Sequence, residues 1–142
     1  MAKLIFGHDE ALAQWAEQQY PEGAPFMRPL IAIGIADPSG QELYGVAFYS
    51  GHTATNVDFG LITASRRWAT KGTVRALLYY PFVQLNLKRM TAFTLKKNRR
   101  ARKVLEKFGF RPEGVHPYAF PNGGTAMSYG LYREATMERW FK

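Results

Sequence analysis

A basic loop, a helix, a strand and a second helix follow one another from Arg66 to Phe110, and this order restricts the fold more than any other stretch. The loop reads Arg66-Arg67-Trp68-Ala69-Thr70-Lys71-Gly72-Thr73. From Gly72 to Asn86, Val74, Leu77, Leu78, Phe82 and Leu85 fall on one helical stripe, with Pro81 inside it predicting a kink or an early last turn. Met90–Leu95 reads as a strand. Asn98 then caps a helix that buries Ala101, Val104, Leu105 and Phe108 and stops at Gly109. A strand, a crossover helix and a strand form a right-handed unit, so the strands ending near Thr63 and Leu95 should be parallel. Cations before a helix N-terminus, where backbone N–H groups lack partners, suit a phosphate. The polar Asn98, where the second strand gives way to the second helix, suits a polar arm of the same ligand.

The rest of the chain supplies strands to flank this unit. Leu4-Ile5-Phe6 is a short strand, and Asp9 caps a helix whose Ala11, Leu12, Trp15 and Ala16 keep helical spacing to about Tyr20-Pro21. Pro21–Pro29 is a loop in which Phe26 and Met27 are large enough to cover something. Leu30–Ala36, Glu42–Ser50 and Thr55–Thr63 should make an antiparallel meander, the first two joined by the turn Asp37-Pro38-Ser39-Gly40. On the third strand, Val57, Phe59 and Leu61 share one face and Asn56, Asp58, Gly60 and Ile62 the other. Gly114–Phe120 and Thr125–Tyr132 flank Pro121-Asn122-Gly123-Gly124 as a hairpin, and Glu134–Trp140 is a terminal helix.

Charge singles out the same stretch. The chain carries a net +8, yet residues 1–62 sum to −5 and residues 112–142 to zero, whereas residues 63–111 hold 14 Lys and Arg against one acid. Such a patch calls for an anionic partner, either a phosphorylated cofactor or nucleic acid. With no cysteine, disulfides, thiolate metal sites and a thiol nucleophile are excluded. No His/carboxylate spacing suggests a metal site and no Ser-His-Asp pattern appears. Apolar runs fall short of the ~18 residues a membrane span needs, and there is no signal-type N-terminus, so the expectation is a single cytoplasmic domain over residues 1–142 with no membrane partner.

Arg67-Trp68-Ala69-Thr70-Lys71-Gly72 is similar to the pyrophosphate loop Gln/Arg-x-x-Gly-x-Gly/Ala, and Asn98–Phe110 to the segment Asn-x-x-Ala-x-x-x-Leu-Glu-Lys-x-Gly-Phe, of the GNAT superfamily of acetyl-CoA-dependent N-acetyltransferases. Arg111-Pro112-Glu113-Gly114 and the hairpin closing on Tyr129–Glu134 continue the resemblance, which spans roughly residues 28–134. It implies an α+β fold: a mixed, mostly antiparallel sheet of six to seven strands with one splayed parallel pair, flanked by three to four helices. It also implies acetyl-CoA as donor and an amine acceptor, whether a protein N-terminus, a lysine or a small molecule.

On that resemblance the pantetheine arm bonds the open strand edge Leu61–Thr63 in the gap of the splayed pair, with Ile62 N–H a candidate oxyanion donor. The diphosphate lies on backbone N–H groups from Trp68 to Thr73, that is Trp68, Ala69, Thr70, Lys71, Gly72 and Thr73, with charge from Arg67 and Lys71. Asn98 bonds the pantetheine amide, and Arg102 or Lys103 meets the ribose phosphate. Asp58 is the candidate base. Two features depart from the pattern. Thr70 stands where the family has its first glycine, and Val104, Leu105 and Phe108 occupy the region of the usual tyrosine acid, leaving Tyr118, Tyr129 or water for that role. His52 and His116 read as structural. The rival reading is a nucleic-acid-associated protein, or a base-modifying enzyme on the same fold, using the basic face of residues 63–111; a third is a protein-binding module acting through Trp140-Phe141. The acceptor's identity and a homodimer both stay open.

Overall fold

The computed structural model describes residues 2–19 and 26–142. Its elements are β1 (Lys3–Ile5), α1 (Asp9–Gln19), β2 (Leu30–Ala36), β3 (Leu43–Ser50), β4 (Asn56–Thr63), a 3₁₀ turn (Arg66–Trp68), α2 (Lys71–Tyr79), a π-helical turn (Tyr80–Gln84), β5 (Arg89–Leu95), α3 (Arg99–Phe108), β6 (Arg111–His116), β7 (Ala126–Tyr132) and α4 (Arg133–Trp140). The seven strands make one mixed sheet in the order β1-β2-β3-β4-β5-β7-β6. Among the described residues only β4 and β5 pair parallel, as the helical crossover requires. Their ladder registers Asn56↔Arg89, Val57↔Met90 and Asp58↔Thr91. Among the described residues the ladder ends there, although β4 continues to Thr63 and β5 to Leu95. The α+β class, the mixed sheet and the parallel pair are those the resemblance implies.

The chain forms two compact units, residues 1–51 with 59–77 and residues 52–58 with 78–142. In the first unit Leu12 and Ala16 of α1 bury against Ala32 and Val46, with Ile5, Trp15, Phe26, Leu30, Leu43 and Ile62 packed around them. Each fully buried side chain of Leu or Ile size stabilises such a core by about 1.5–3 kcal/mol. Phe26 stacks on Phe48 with ring centroids 4.2 Å apart, so its expected covering role holds, whereas Met27 is 62% exposed. The Phe48 ring lies over Gly60, where a Cβ would come within 2.2 Å of it.

Asp9 is not the cap that its position suggests. It is the first residue of α1, His8 O accepts the first helical bond from Leu12 N–H at 2.9 Å, and the Asp9 carboxylate accepts Ala32 N–H of β2 at 2.9 Å. The carboxylate thus fastens α1 to the sheet. The expected end of this helix at Tyr20-Pro21 lies outside the described residues.

Around Pro81 the α-helix stops at Tyr79 and widens to a π turn, Leu85 N–H reaching Tyr80 O at 3.1 Å. The interruption expected at Pro81 is thus present, and the α-helix itself does not reach Asn86. Pro81 has no N–H for the carbonyl four residues back, that of Leu77. The Tyr49 hydroxyl of β3 donates to Leu77 O instead, at 2.7 Å in a fully buried position.

In the second unit α3 follows its sequence signals. Asn98 Oδ1 accepts Ala101 N–H at 3.1 Å, and Gly109 ends the helix at φ 112°. Leu105 and Phe108 are its buried residues, and Trp140 Nε1 of α4 donates to Phe108 O at 3.0 Å. Arg133 holds the middle of the π turn, its Nε donating to Phe82 O at 3.2 Å. The hairpin is displaced from its expected place. β6 runs over Arg111–His116, pairs with β7 from Arg111↔Gly130 to His116↔Ala126, and shifts register between Pro112 and Gly114. Tyr118 and Phe120, expected in the strand, lie past its end, and Tyr118 takes φ 59°.

Candidate functional site

In the first unit the loop that joins β4 to α2 is built on Tyr44. Its carbonyl accepts Ala64 N–H at 2.8 Å and Ser65 N–H at 3.2 Å. Its side chain bonds the Arg67 guanidinium, which this contact and the nearby Glu42 hold above its ordinary pKa. Arg67 is exposed, while Trp68 buries its ring to 5% exposure as the loop's anchor. Tyr44 carries no signal in the sequence, because its role depends on β3 running beside the end of β4.

Most backbone donors of this loop are already used. Trp68 N–H goes to Ser65 O at 3.5 Å, Ala69 N–H to Arg66 O at 3.1 Å and Thr70 N–H to Trp68 O at 3.0 Å. Thr70 is the N-cap of α2: its Oγ1 accepts Thr73 N–H at 3.2 Å and donates to Thr73 Oγ1 at 3.0 Å, while its carbonyl accepts Val74 N–H at 3.0 Å. Thr70 is not among the positive-φ residues, so a β-branched side chain meets no backbone strain where the family has glycine. The expected cradle of six amides from Trp68 to Thr73 therefore narrows to two. Lys71 and Gly72 N–H have no acceptor among the described residues, and both residues are exposed at the first turn of α2. Arg66 and Lys71 flank them without an ion pair among the described residues. Open amides at the positive end of a helix, with cations beside them, are the kind of arrangement that suits a negatively charged group. Leu61, Ile62 and Thr63 close β4 just before this loop, all half-buried, and a Cβ at Gly45 of β3 would come within 3.0 Å of Ile62 O.

In the second unit Asp58 is half-buried on β4 beside Thr91 in register. Asn56 Nδ2 donates to Asp58 Oδ1 at 3.3 Å, and Thr91 Oγ1 donates to Asn56 Oδ1 at 2.8 Å. This chain orients the carboxylate and leaves Oδ2 open for a proton. Asn56 and Thr91 were not legible as its holders, since they meet only across the parallel ladder. The Asn98 side-chain oxygen is committed to the helix cap, which leaves its Nδ2 as the donor available to a ligand. Arg102 donates from Nε to Tyr129 OH at 3.0 Å and from Nη1 to Lys96 O at 3.0 Å, so two of its donors tie α3 to the sheet. Of the two tyrosines considered as acids, Tyr129 is fully buried against Arg102 and Tyr118 is 86% exposed in a turn. His52 sits edge-on to Tyr80, and His116 Nε2 lies 3.0 Å from Ser128 Oγ. Among the described residues no three His, Cys, Asp or Glu side chains gather as metal ligands, and no helix is long and apolar enough to cross a membrane.

The family that the sequence matches makes this chain an acyltransferase. A family profile described as an acetyltransferase (GNAT) domain matches residues 7–111, and the chain belongs to that family. Among solved structures, a mutant of the spermidine N-acetyltransferase SpeG from Vibrio cholerae superposes with a TM-score of 0.79 at 14% identity, over 97% of each chain. A mutant form of the spermidine/spermine N-acetyltransferase SpeG from the same organism gives 0.75 at 17% identity, over 98% of this chain and 99% of that one. A chimera of Vibrio cholerae SpeG and hSSAT gives 0.67 at 18% identity, over 79% and 70%. These likenesses establish the fold. No curated protein matches the chain in sequence.

Proposed function

We propose that this chain, as one domain, transfers an acetyl group from acetyl-CoA to the primary amine of a small molecule. The observation that carries the donor half is the pair of open amides at Lys71 and Gly72, flanked by Arg66, Arg67 and Lys71. That set fits a diphosphate in charge, in donor geometry and in its exposure. In this reading the edge of β4 at Leu61–Thr63 bonds the pantetheine arm, and the Nδ2 of Asn98 bonds a pantetheine carbonyl. Trp68, Ala69, Thr70 and Thr73 act by shaping the loop, their amides being already bonded.

When bound, acetyl-CoA supplies a thioester whose acetyl group passes to the amine. Asp58 takes the proton of the acceptor's ammonium, directly or through water, on the oxygen that Asn56 leaves open. Ile62 N–H is assigned to the developing oxyanion. A water returns the proton to the leaving thiolate, since Tyr129 is buried on Arg102 and Tyr118 is in solvent. The acceptor class is supported by the family and by the polyamine substrates named for the neighbouring folds.

Calorimetric titration with acetyl-CoA tests the donor half. One site per chain is expected, weakened about tenfold or more by Lys71→Glu; unchanged affinity in that variant would refute the loop assignment. Acetylation of a panel holding spermidine, a monoamine and a peptide N-terminus then tests the acceptor half. Turnover of the peptide alone would overturn the small-molecule reading.

A further inference from the structure

The sheet face that carries Asp58 also leaves an aromatic ring in the open. Thr91 and Phe93 stand two residues apart on β5 and so share a face. That face is Asp58's own, since the Thr91 hydroxyl bonds Asn56, which in turn bonds Asp58. Phe93 is nonetheless 53% exposed. On β7 it is in register with Ser128, which pairs with Gly114 of β6. Tyr132, a second large ring on this face, is engaged: its hydroxyl bonds Glu113, and the Arg89 guanidinium lies 5.6 Å over its ring.

His116 makes Phe93 one side of a corner. The two ring centroids lie 6.0 Å apart and the planes meet at 59°. The imidazole is held in place, its Nε2 lying 3.0 Å from the Oγ of Ser128, which is buried to 8% exposure. Gly114 leaves room for that contact, because a Cβ there would come within 3.0 Å of the nitrogen and 3.1 Å of the hydroxyl. Two rings at such an angle let a third lie on one and meet the other obliquely, at the centroid spacings of about 4.5–7 Å that aromatic groups prefer.

We infer that the acceptor amine carries a flat apolar ring on a short carbon chain, and that Phe93 sets this preference by seating the ring against His116. The inference rests on the reading of Asp58 as the base. Strand spacing and rise put the Cα atoms of Asp58 and Phe93 roughly 8 Å apart, a span that a short chain bridges between an amine at the carboxylate and a ring at the corner. Ser128 is a positioning residue that acts through His116. A polyamine fits this face less well: Glu113 is already paired with Arg89 and Tyr132, so a second ammonium finds no open carboxylate at the corner.

The test compares phenethylamine with butylamine as acceptors for the full chain at saturating acetyl-CoA. The ratio of their kcat/KM values should favour the ring by about tenfold, and Phe93→Ala should bring the two within about threefold by raising KM for phenethylamine while kcat holds. Ser128→Ala should raise the same KM by a smaller factor, again with kcat held. Phe93 is exposed, so the fold tolerates its loss, which circular dichroism checks. Equal use of the two amines, more efficient use of spermidine than of phenethylamine, or an unchanged ratio in Phe93→Ala overturns the inference. Amide NMR of the chain titrated with phenethylamine alone reads the corner without turnover. Shifts at Phe93, Gly114 and Ser128 that butylamine does not produce are expected, and their absence overturns the inference. Should those shifts appear where no amine is acetylated, the acetyl-transfer reading fails while the ring site stands.

Discussion

A carboxylate that takes a proton from an ammonium group must be held with one oxygen free, and Asp58 is held that way by Asn56 and Thr91. If the reading of Asp58 as base is right, Asp58→Asn lowers kcat at neutral pH by about 10²-fold or more with little change in acetyl-CoA affinity. Thr91→Val removes only the far end of the chain and costs a smaller factor in kcat. Steady-state kinetics on the two variants separates these outcomes, and full activity in Asp58→Asn removes the base. Asp37 gives a pH prediction of its own. Its carboxyl is held at about 2, first by Glu42 N–H and then by the Ser39 hydroxyl, against an ordinary value near 3.8. A depressed folded value means the contribution is present above the ordinary value and disappears as pH falls through about 2. Amide protection factors in the β2–β3 hairpin should therefore be high at pH 5 and fall between pH 4 and 2, and Asp37→Ala should flatten that dependence.

Helix α3 carries a prediction that separates structure from binding. Asn98→Ala removes the cap and should cost about 1 kcal/mol of stability. Asn98→Asp keeps an accepting oxygen for Ala101 N–H but lacks the Nδ2 donor, so it should retain the melting temperature yet weaken acetyl-CoA binding. Thermal denaturation and calorimetry on the pair decide between a pure cap and a double role. This helix was readable from the sequence because its determinants are local: a cap at Asn98, an apolar stripe and a glycine stop lie within twelve residues. Elsewhere the determinants lie far along the chain. The π turn after Tyr79 depends on a hydroxyl 28 residues away, and Asp9 bonds an amide 23 residues away. For β6 the aromatics at Tyr118 and Phe120 look like strand residues, but pairing with β7 and the shift at Pro112 set its bounds. The loop before α2 was legible as a motif, whereas the sharing of its amides was not, since Thr70 as a cap consumes Thr73 N–H.

The charge asymmetry of the sequence places, in the first compact unit, the cations Arg66, Arg67 and Lys71 around the start of α2. Binding of an anionic donor there should weaken with salt, because partly exposed charges are screened beyond a Debye length of about 8 Å at physiological ionic strength. Saturating acetyl-CoA at about 100 times its Kd should stabilise the fold by about 2.7 kcal/mol, a rise in Tm on the order of 5–10 °C for a chain of this size. Differential scanning calorimetry at two ionic strengths checks both statements; a Tm that ignores the cofactor refutes the donor assignment.

Tyr49 and Pro81 have tied fates. A phenylalanine at 49 strands the Leu77 carbonyl without a proton, which should cost about 1–3 kcal/mol, yet the same replacement beside Pro81→Ala should be nearly silent, the restored amide doing the tyrosine's work. Descendants of this sequence are therefore expected to lose the ring hydroxyl and the imino acid together, or to keep both.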